Sequence, residues 1–198
     1  MFKNCYNLRS LDISSFKTNK LVNMNKMFQN CSSLKTLDIS NFDTSNIKDM
    51  SHLFEDCQDL FNLKLDNITT ERVKTMAYMF NNCGSLTSLD LTNFVTDNVE
   101  NMEYMFNDCS SLTSLDLYSF STRKVTNMDY MFANDVSLQT LDMTSFNTAN
   151  CETFENMFDN CYKLTVFLRK SQCENIYDSI PYYVNIINVD DYIFPSFQ

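Results

Sequence analysis

The sequence predicts an α/β repeat solenoid, built of about seven coils of 26 residues with one parallel strand and one short helix in each. Three observations lead there. A Met-Phe pair recurs without insertion at Met1-Phe2, Met27-Phe28, Met79-Phe80, Met105-Phe106, Met131-Phe132 and Met157-Phe158, with Leu53-Phe54 holding the remaining place. Leucine recurs at the same interval at Leu8, Leu34, Leu60, Leu86, Leu112, Leu138 and Leu164. The apolar spacing also changes within each unit, from a period of two to steps of three and four.

The strand half comes first. Leu11, Leu37, Leu63, Leu89, Leu115 and Leu141 form a column three residues after the leucines above, and Ile13, Ile39, Leu65, Leu91, Leu117 and Met143 form another two residues later. The alternation Leu115, Asp116, Leu117 is that of a strand with one buried face. At a strand separation of about 4.8 Å, seven coils would make a body roughly 30 Å long with a continuous parallel sheet along one side.

The second half reads as a helix. Val99, Met102, Met105 and Phe106 are spaced like one helical face, as are the residues from Ile47 to Phe54 and from Val125 to Phe132. Thr44, Thr96, Thr122 and Thr148 stand where an N-cap hydroxyl would accept a backbone N–H. Asn30, Asp56, Asn82, Asp108 and Asn160 stand where a left-handed residue would end the helix, a role asparagine must take in a chain whose one glycine is Gly84.

The chain carries a formal charge of −10. That opposes the counterion release that drives binding to nucleic acid, which is not an expected partner. No apolar run is long enough to span a membrane, and no basic-then-apolar leader is present.

Six of the eight cysteines share one column, Cys5, Cys31, Cys57, Cys83, Cys109 and Cys161, with Asp135 in the seventh place. Cys151 lies in a column of small apolar residues and Cys173 near the C-terminus. Cysteines stacked in a core column are expected to be reduced, buried thiols. Without a C-x-x-C pair, and with His52 as the one histidine, no metal site is expected. The methionines, including Met24, Met50, Met76, Met102 and Met128, fall on the same inward face and belong to the core. No cofactor motif and no catalytic set of nucleophile and base is present, so enzymatic activity is not expected.

One polar column repeats where a partner could reach it. Asp12, Asp38, Asp90, Asp116 and Asp142 each lie between two buried strand residues and should project from the exposed sheet face, with Lys64 interrupting the row. Ser88, Ser114 and Thr140 are among the hydroxylated residues beside it, with Ser14, Ser40, Thr92 and Thr144 on the other flank. Stacked like charges repel by about 1 kcal/mol per adjacent pair in water. Hydrogen bonds from neighbouring hydroxyls or backbone could offset this, and so could a basic ligand. A linear row offers too few converging oxygens for calcium.

The unit Met105 to Tyr130, MFNDCSSLTSLDLYSFSTRKVTNMDY, resembles the 26-residue repeat of BspA-like leucine-rich-repeat surface proteins. The resemblance covers residues 1–168 and implies a leucine-rich-repeat fold, a non-enzymatic role in protein interaction or adhesion, and a cell-surface or extracellular location. Reduced-looking cysteines and the missing leader leave a cytoplasmic location as the alternative, and a passive spacer or stalk displaying another domain is the alternative function. In place of the asparagine that ordinarily follows the strand in such repeats stands the column Phe16, Phe42, Phe94, Phe120 and Phe146, which would stack as an aromatic spine.

The pattern ends after Leu164. Phe167 is expected in the leucine column and Leu168 in the aspartate column, followed by a cap over residues 169–198 with a helical stretch from about Ser171 to Ser179, Pro181 and a β-rich run from Tyr182 to Val189. At the other end Leu8, Leu11, Ile13 and Phe16 have no preceding coil, so an end-to-end contact with a second chain, or residues upstream, is expected to cover them.

Overall fold

The structure is a computed structural model in which residues 1–191 are described. Equivalent residues of successive 26-residue units lie side by side and are joined by backbone hydrogen bonds on two sides of a shared core. On the first side are six short parallel strands: β1 Thr36–Asp38, β2 Asn62–Lys64, β3 Ser114–Leu115, β4 Thr140–Asp142, β5 Thr165–Leu168 and β6 Asn185–Asn188. β1 pairs with β2, and β3 through β6 form a four-stranded parallel sheet. The expected continuous sheet is therefore divided, because Ser88–Asp90 forms no strand between the two groups.

Charge accounts for part of this pairing, although Asp90, which the register places beside Lys64, forms no strand. The ladders reach the aspartate column where the facing residue is not another aspartate, at Asp38↔Lys64 and Asp142↔Phe167. Where Asp12 would face Asp38, or Asp116 face Asp142, pairing stops short. Like charges directly opposed on adjacent strands work against pairing by a few tenths to 1 kcal/mol. Replacing Asp116 with Asn, which keeps a turn-closing oxygen and removes the charge, should accordingly stabilise the fold by roughly 0.2–1 kcal/mol in urea denaturation at low salt, with the gain shrinking in 1 M salt. A loss of stability at both salt concentrations would mean that repulsion does not shape this sheet.

The second side corrects the expected helices. Among the described residues the α-helix is α1, Glu174–Tyr177, which lies beyond the repeats. The stretch read as helical is a run of tight turns. Met27 N–H donates to the Met24 carbonyl, Cys31 to Phe28 and Leu34 to Cys31, each three residues back. The intervening N–H groups of Lys26, Phe28 and Asn30 donate across to the carbonyls of Ser51, Leu53 and Glu55, at 3.1, 3.0 and 2.8 Å. A helix would have kept these bonds within one coil. Steps of three between turn corners bring Met24, Met27, Phe28, Cys31 and Leu34 inward with nearly the spacing of a helical face, which is why the period misleads.

Two residues per coil take a left-handed conformation to make these turns. One is the Asn/Asp column, with φ of 61° at Asn30, 60° at Asp56 and 57° at Asn82. It was expected to be left-handed; it closes a turn rather than a helix, at the third position, where φ must be positive. The other, four residues earlier, holds Lys26, His52, Tyr78, Tyr104, Tyr130 and Asn156, with φ from 52° to 60°. Bulky residues are uncommon there, and the aromatic ones are held by stacking: His52 on Tyr78 at 4.7 Å, then Tyr78 on Tyr104 and Tyr104 on Tyr130 at 4.6 Å.

Without helices to cap, the threonine column has another task. The Thr96 hydroxyl accepts from Ser121 N–H at 2.8 Å and donates to the Ser121 carbonyl at 2.9 Å, clamping both backbone groups of one residue in the next coil. Thr44, Thr70 and Thr122 do the same to Thr69, Val95 and Asn147. These threonines are 0–2% exposed, so the clamp satisfies polar groups that water does not reach.

The aromatic spine also lies elsewhere than expected. Phe2, Phe28, Phe54, Phe80, Phe106, Phe132 and Phe158, from the Met-Phe column, stack at 5.5–5.8 Å, offset and nearly parallel. Phe94, Phe120 and Phe146 are buried without forming such ring pairs among the described residues. An asparagine ladder is retained one position before that column, where Asn41, Asn67 and Asn93 donate to carbonyls of the preceding coil.

All eight cysteines are free thiols. Cys57, Cys83 and Cys109 are fully buried, and each donates to the phenylalanine carbonyl 29 residues earlier, at 3.2 Å. Buried thiols in this column thus contribute inter-coil bonds as well as packing.

The last coil is one residue short. Thr140 pairs with Thr165, 25 residues on, so Val166 takes the leucine column, Phe167 the aspartate column and Leu168 the following apolar column. This shifts by one the places expected for Phe167 and Leu168. The alternation of half-buried Thr165 and Phe167 with buried Val166 and Leu168 explains the choice, because the other register would bring Leu168 out to solvent. Beyond it come a 3-10 turn at Lys170–Gln172, α1 and β6, which pairs with β5. Residues 192–198 of the expected cap lie outside the described residues.

Candidate functional site on the sheet face

Every residue assigned to the sheet face from the sequence is exposed: Asp12, Asp38, Asp90, Asp116, Asp142, Ser88, Ser114 and Thr140. Their placement follows from strand alternation, with Leu37, Leu115 and Leu141 buried between exposed neighbours. The face is not uniform. Ser114, Asp116, Thr140 and Asp142 come together around one shallow depression that also includes Tyr118 and Phe167. Asp38 lies in another with Thr36, Asn62 and Lys64. Asp12, Asp90 and Ser88 line neither depression.

Each aspartate closes its own turn. Asp12 Oδ1 accepts from the backbone N–H and the hydroxyl of Ser14, at 3.0 and 2.7 Å. Asp38 is bonded likewise by Ser40, and Asp90 by Thr92. Hydrogen bonds to the charged form hold these three carboxyls below the usual range: first the Ser14 hydroxyl for Asp12, first the Ser40 hydroxyl for Asp38, and first the Thr92 backbone for Asp90. Asp116 and Asp142 receive only the backbone N–H of Tyr118 and Thr144, at 3.0 and 2.8 Å.

Among the described residues, the other carboxylate oxygen takes no hydrogen bond at Asp12, Asp90, Asp116 or Asp142. Asp38 meets Lys64 at 3.8 Å, an exposed pair of little energetic weight. The remaining ion pairs among the described residues are His52–Glu55, Lys74–Glu100 and Arg169–Asp190. Among the described residues, no cation therefore neutralises Asp116 or Asp142.

Sequence reasoning missed Tyr118 and Phe167. Tyr118 is 76% exposed and occupies the position that holds Ser14, Ser40, Thr92 or Thr144 in other coils. Its signal was a break in the hydroxyl column. Phe167 became part of the site through the shortened last coil.

Other openings differ in chemistry. A small cleft between the last coil and the C-terminal segment is lined by Phe154, Asn156, Asp159, Ile176, Ser179 and Pro181. An apolar hollow at the first coil is lined by Phe2, Phe16, Leu21 and Phe42; Phe16 is 38% exposed, whereas Ile13, expected at this uncovered edge, is buried. Among the described residues no three His, Cys, Asp or Glu side chains converge as metal ligands, and no helix is long and apolar enough to cross a membrane.

The sequence profile of a family described as "Mycoplasma protein of unknown function, DUF285" matches residues 1–89 and again residues 85–187. The chain belongs to this family. The paired matches run across the repeats, and the period of 26 residues fits DUF285. No match was found among the curated proteins compared with the chain. In this DUF285 chain the parallel strands, the turn ladders and the buried threonine and cysteine columns set the frame, and the aspartates are the polar groups that the frame presents outward.

Proposed function

We propose that this chain is a non-enzymatic interaction module that binds a protein or cell-surface ligand through the exposed sheet face, in the manner of BspA-like leucine-rich-repeat proteins, at a cell surface or outside the cell. The observation that carries the reading is the aspartate row. Each carboxylate is fixed by its own turn, and among the described residues those of Asp12, Asp90, Asp116 and Asp142 keep one oxygen free on the exposed face, while that of Asp38 meets Lys64. A preorganised row of this kind loses little side-chain freedom on binding. The repeating inward columns support the same reading, since their polar groups are consumed in holding one coil to the next.

The test uses the intact chain and a set of extended 12-residue peptides graded from basic to acidic. The wild type should bind a subset of basic peptides, and the joint replacement Asp90→Asn, Asp116→Asn and Asp142→Asn should abolish that binding while leaving the circular dichroism spectrum unchanged. Undiminished binding by the replaced chain would overturn the sheet-face reading. No binding by the wild type to any peptide would favour the passive spacer.

A further inference from the structure

In an array of near-identical coils, a departure from the column that serves no internal contact points to selection for something outside the chain. The sheet face has such a departure at the step from Asp116 to Asp142. Tyr118 stands where a small hydroxylated residue elsewhere completes the aspartate turn, so Asp116 has one hydrogen bond fewer than Asp12, Asp38 or Asp90. Its ring is 76% exposed. On the adjoining coil, half-buried Phe167 faces Asp142 across the β4–β5 ladder in the aspartate column. Two carboxylates without a cationic partner among the described residues thus share one depression with two aromatic side chains. The nearest basic residue along β5, Arg169, is drawn to Asp190 at 3.8 Å.

We infer that this step is the receptor for a single lysine or arginine side chain, presented by an extended segment of a partner protein. The inference rests on the sheet-face reading above and names the chemistry and place of the contact. A cation seated between the carboxylates offsets the repulsion of neighbouring like charges. An aromatic face beside it adds attraction that an aspartate row alone lacks. The flanking hydroxyls of Ser114 and Thr140 supply donors and acceptors for the partner's backbone. The pair Asp38–Lys64, by contrast, already holds its own cation, so the other depression is a poorer receptor.

The experiment titrates the full chain with three 9-residue peptides that are identical except at the centre, which is lysine, norleucine or glutamate. The lysine peptide should bind at least about tenfold more tightly than the norleucine peptide, the sum of one ion contact and one cation–π contact. Tyr118→Ser, which restores the repeating residue, and Asp142→Asn should each remove most of that preference, whereas Tyr118→Phe should keep it. Asp12→Asn on the same face should change it by less than about twofold, because a screened charge several strands away contributes little. Equal losses from Asp12→Asn and Asp142→Asn would overturn the local receptor while leaving a sheet-face interaction in place. Preference for the norleucine or glutamate peptide, abolished by the triple asparagine replacement, would do the same. Binding untouched by that triple replacement would overturn both readings.

Discussion

Raising the pH above 9 should unfold this protein abruptly, with the release of several thiol protons for each molecule that unfolds. Burial pushes the thiols of Cys31, Cys151 and Cys173 up to about 11 and that of Cys161 to about 12, from an ordinary value of 9.0. Cys57, Cys83 and Cys109 are raised further, again first by burial. The folded values lie above the unfolded ones. The favourable contribution of each neutral buried thiol is therefore complete below pH 9 and lost as pH rises toward the folded value. In that window the unfolded chain has released protons that the folded chain retains, so stability falls with pH.

Each such proton corresponds to about 1.4 kcal/mol per pH unit. With about four to seven protons released, the 5–15 kcal/mol typical of a domain would be exhausted within roughly two units, giving a midpoint between about pH 9.5 and 11. Urea denaturation followed by circular dichroism at half-unit intervals from pH 7 to 11 measures the slope. Cys83→Ala should reduce that slope by about one proton even if it lowers stability at pH 7, since the slope reports titration rather than packing. Retention of the fold at pH 11, or a slope of about one proton, would show that the thiol column does not control alkaline stability.

The cysteine and leucine columns were legible in the sequence because burial in a stacked array repeats with the unit. The helix was misread for a physical reason. A chain that turns inward every three residues gives nearly the same apolar spacing as a helical face, as at Met24, Met27, Phe28 and Cys31. The distinction lay in residues suited to turns, notably Asn30, Asp56 and Asn82 at positive φ. Tyr78, Tyr104 and Tyr130 gave no such signal, because an isolated tyrosine disfavours the left-handed region and only the stack across coils makes it an apt choice there. Alternation placed the aspartates on the exposed face, but grouping Asp116 and Asp142 with Tyr118 and Phe167 required the one-residue shortening of the last coil. That shortening is visible in Leu164, Val166 and Leu168 once strand pairing rather than the 26-residue count defines the register.

Asp135 breaks the thiol column, and replacing it with cysteine should stabilise the fold by about 2–4 kcal/mol at pH 8, the scale of an imperfectly satisfied buried acid. The side chain is 1% exposed. Oδ1 accepts from Cys109 N–H at 2.8 Å, but Oδ2 has no partner. Burial, with a smaller contribution from the Asp108 carboxylate, raises its pKa well above the ordinary 3.8. The coils on either side present Cys109 and Cys161, which are neutral thiols at pH 8, so no cation compensates an ionised Asp135. Below pH 3.8 the acid is neutral in both folded and unfolded chains and imposes no titration penalty. As pH rises from there toward the folded value, the unfolded chain releases the proton first and stability falls. Asp135→Asn keeps an oxygen for Cys109 N–H and removes the titration, so it should flatten stability between pH 4 and 8. Asp135→Cys should do the same and add a thiol suited to the column, but its advantage should shrink above pH 9, where one more buried thiol joins the alkaline release. Chemical denaturation of the three chains at pH 4, 6, 8 and 10 separates these terms. An unchanged pH dependence in both variants would mean that Asp135 is not the acid that weakens the core, and a pH 8 gain for cysteine that persists undiminished at pH 10 would contradict the thiol-column account.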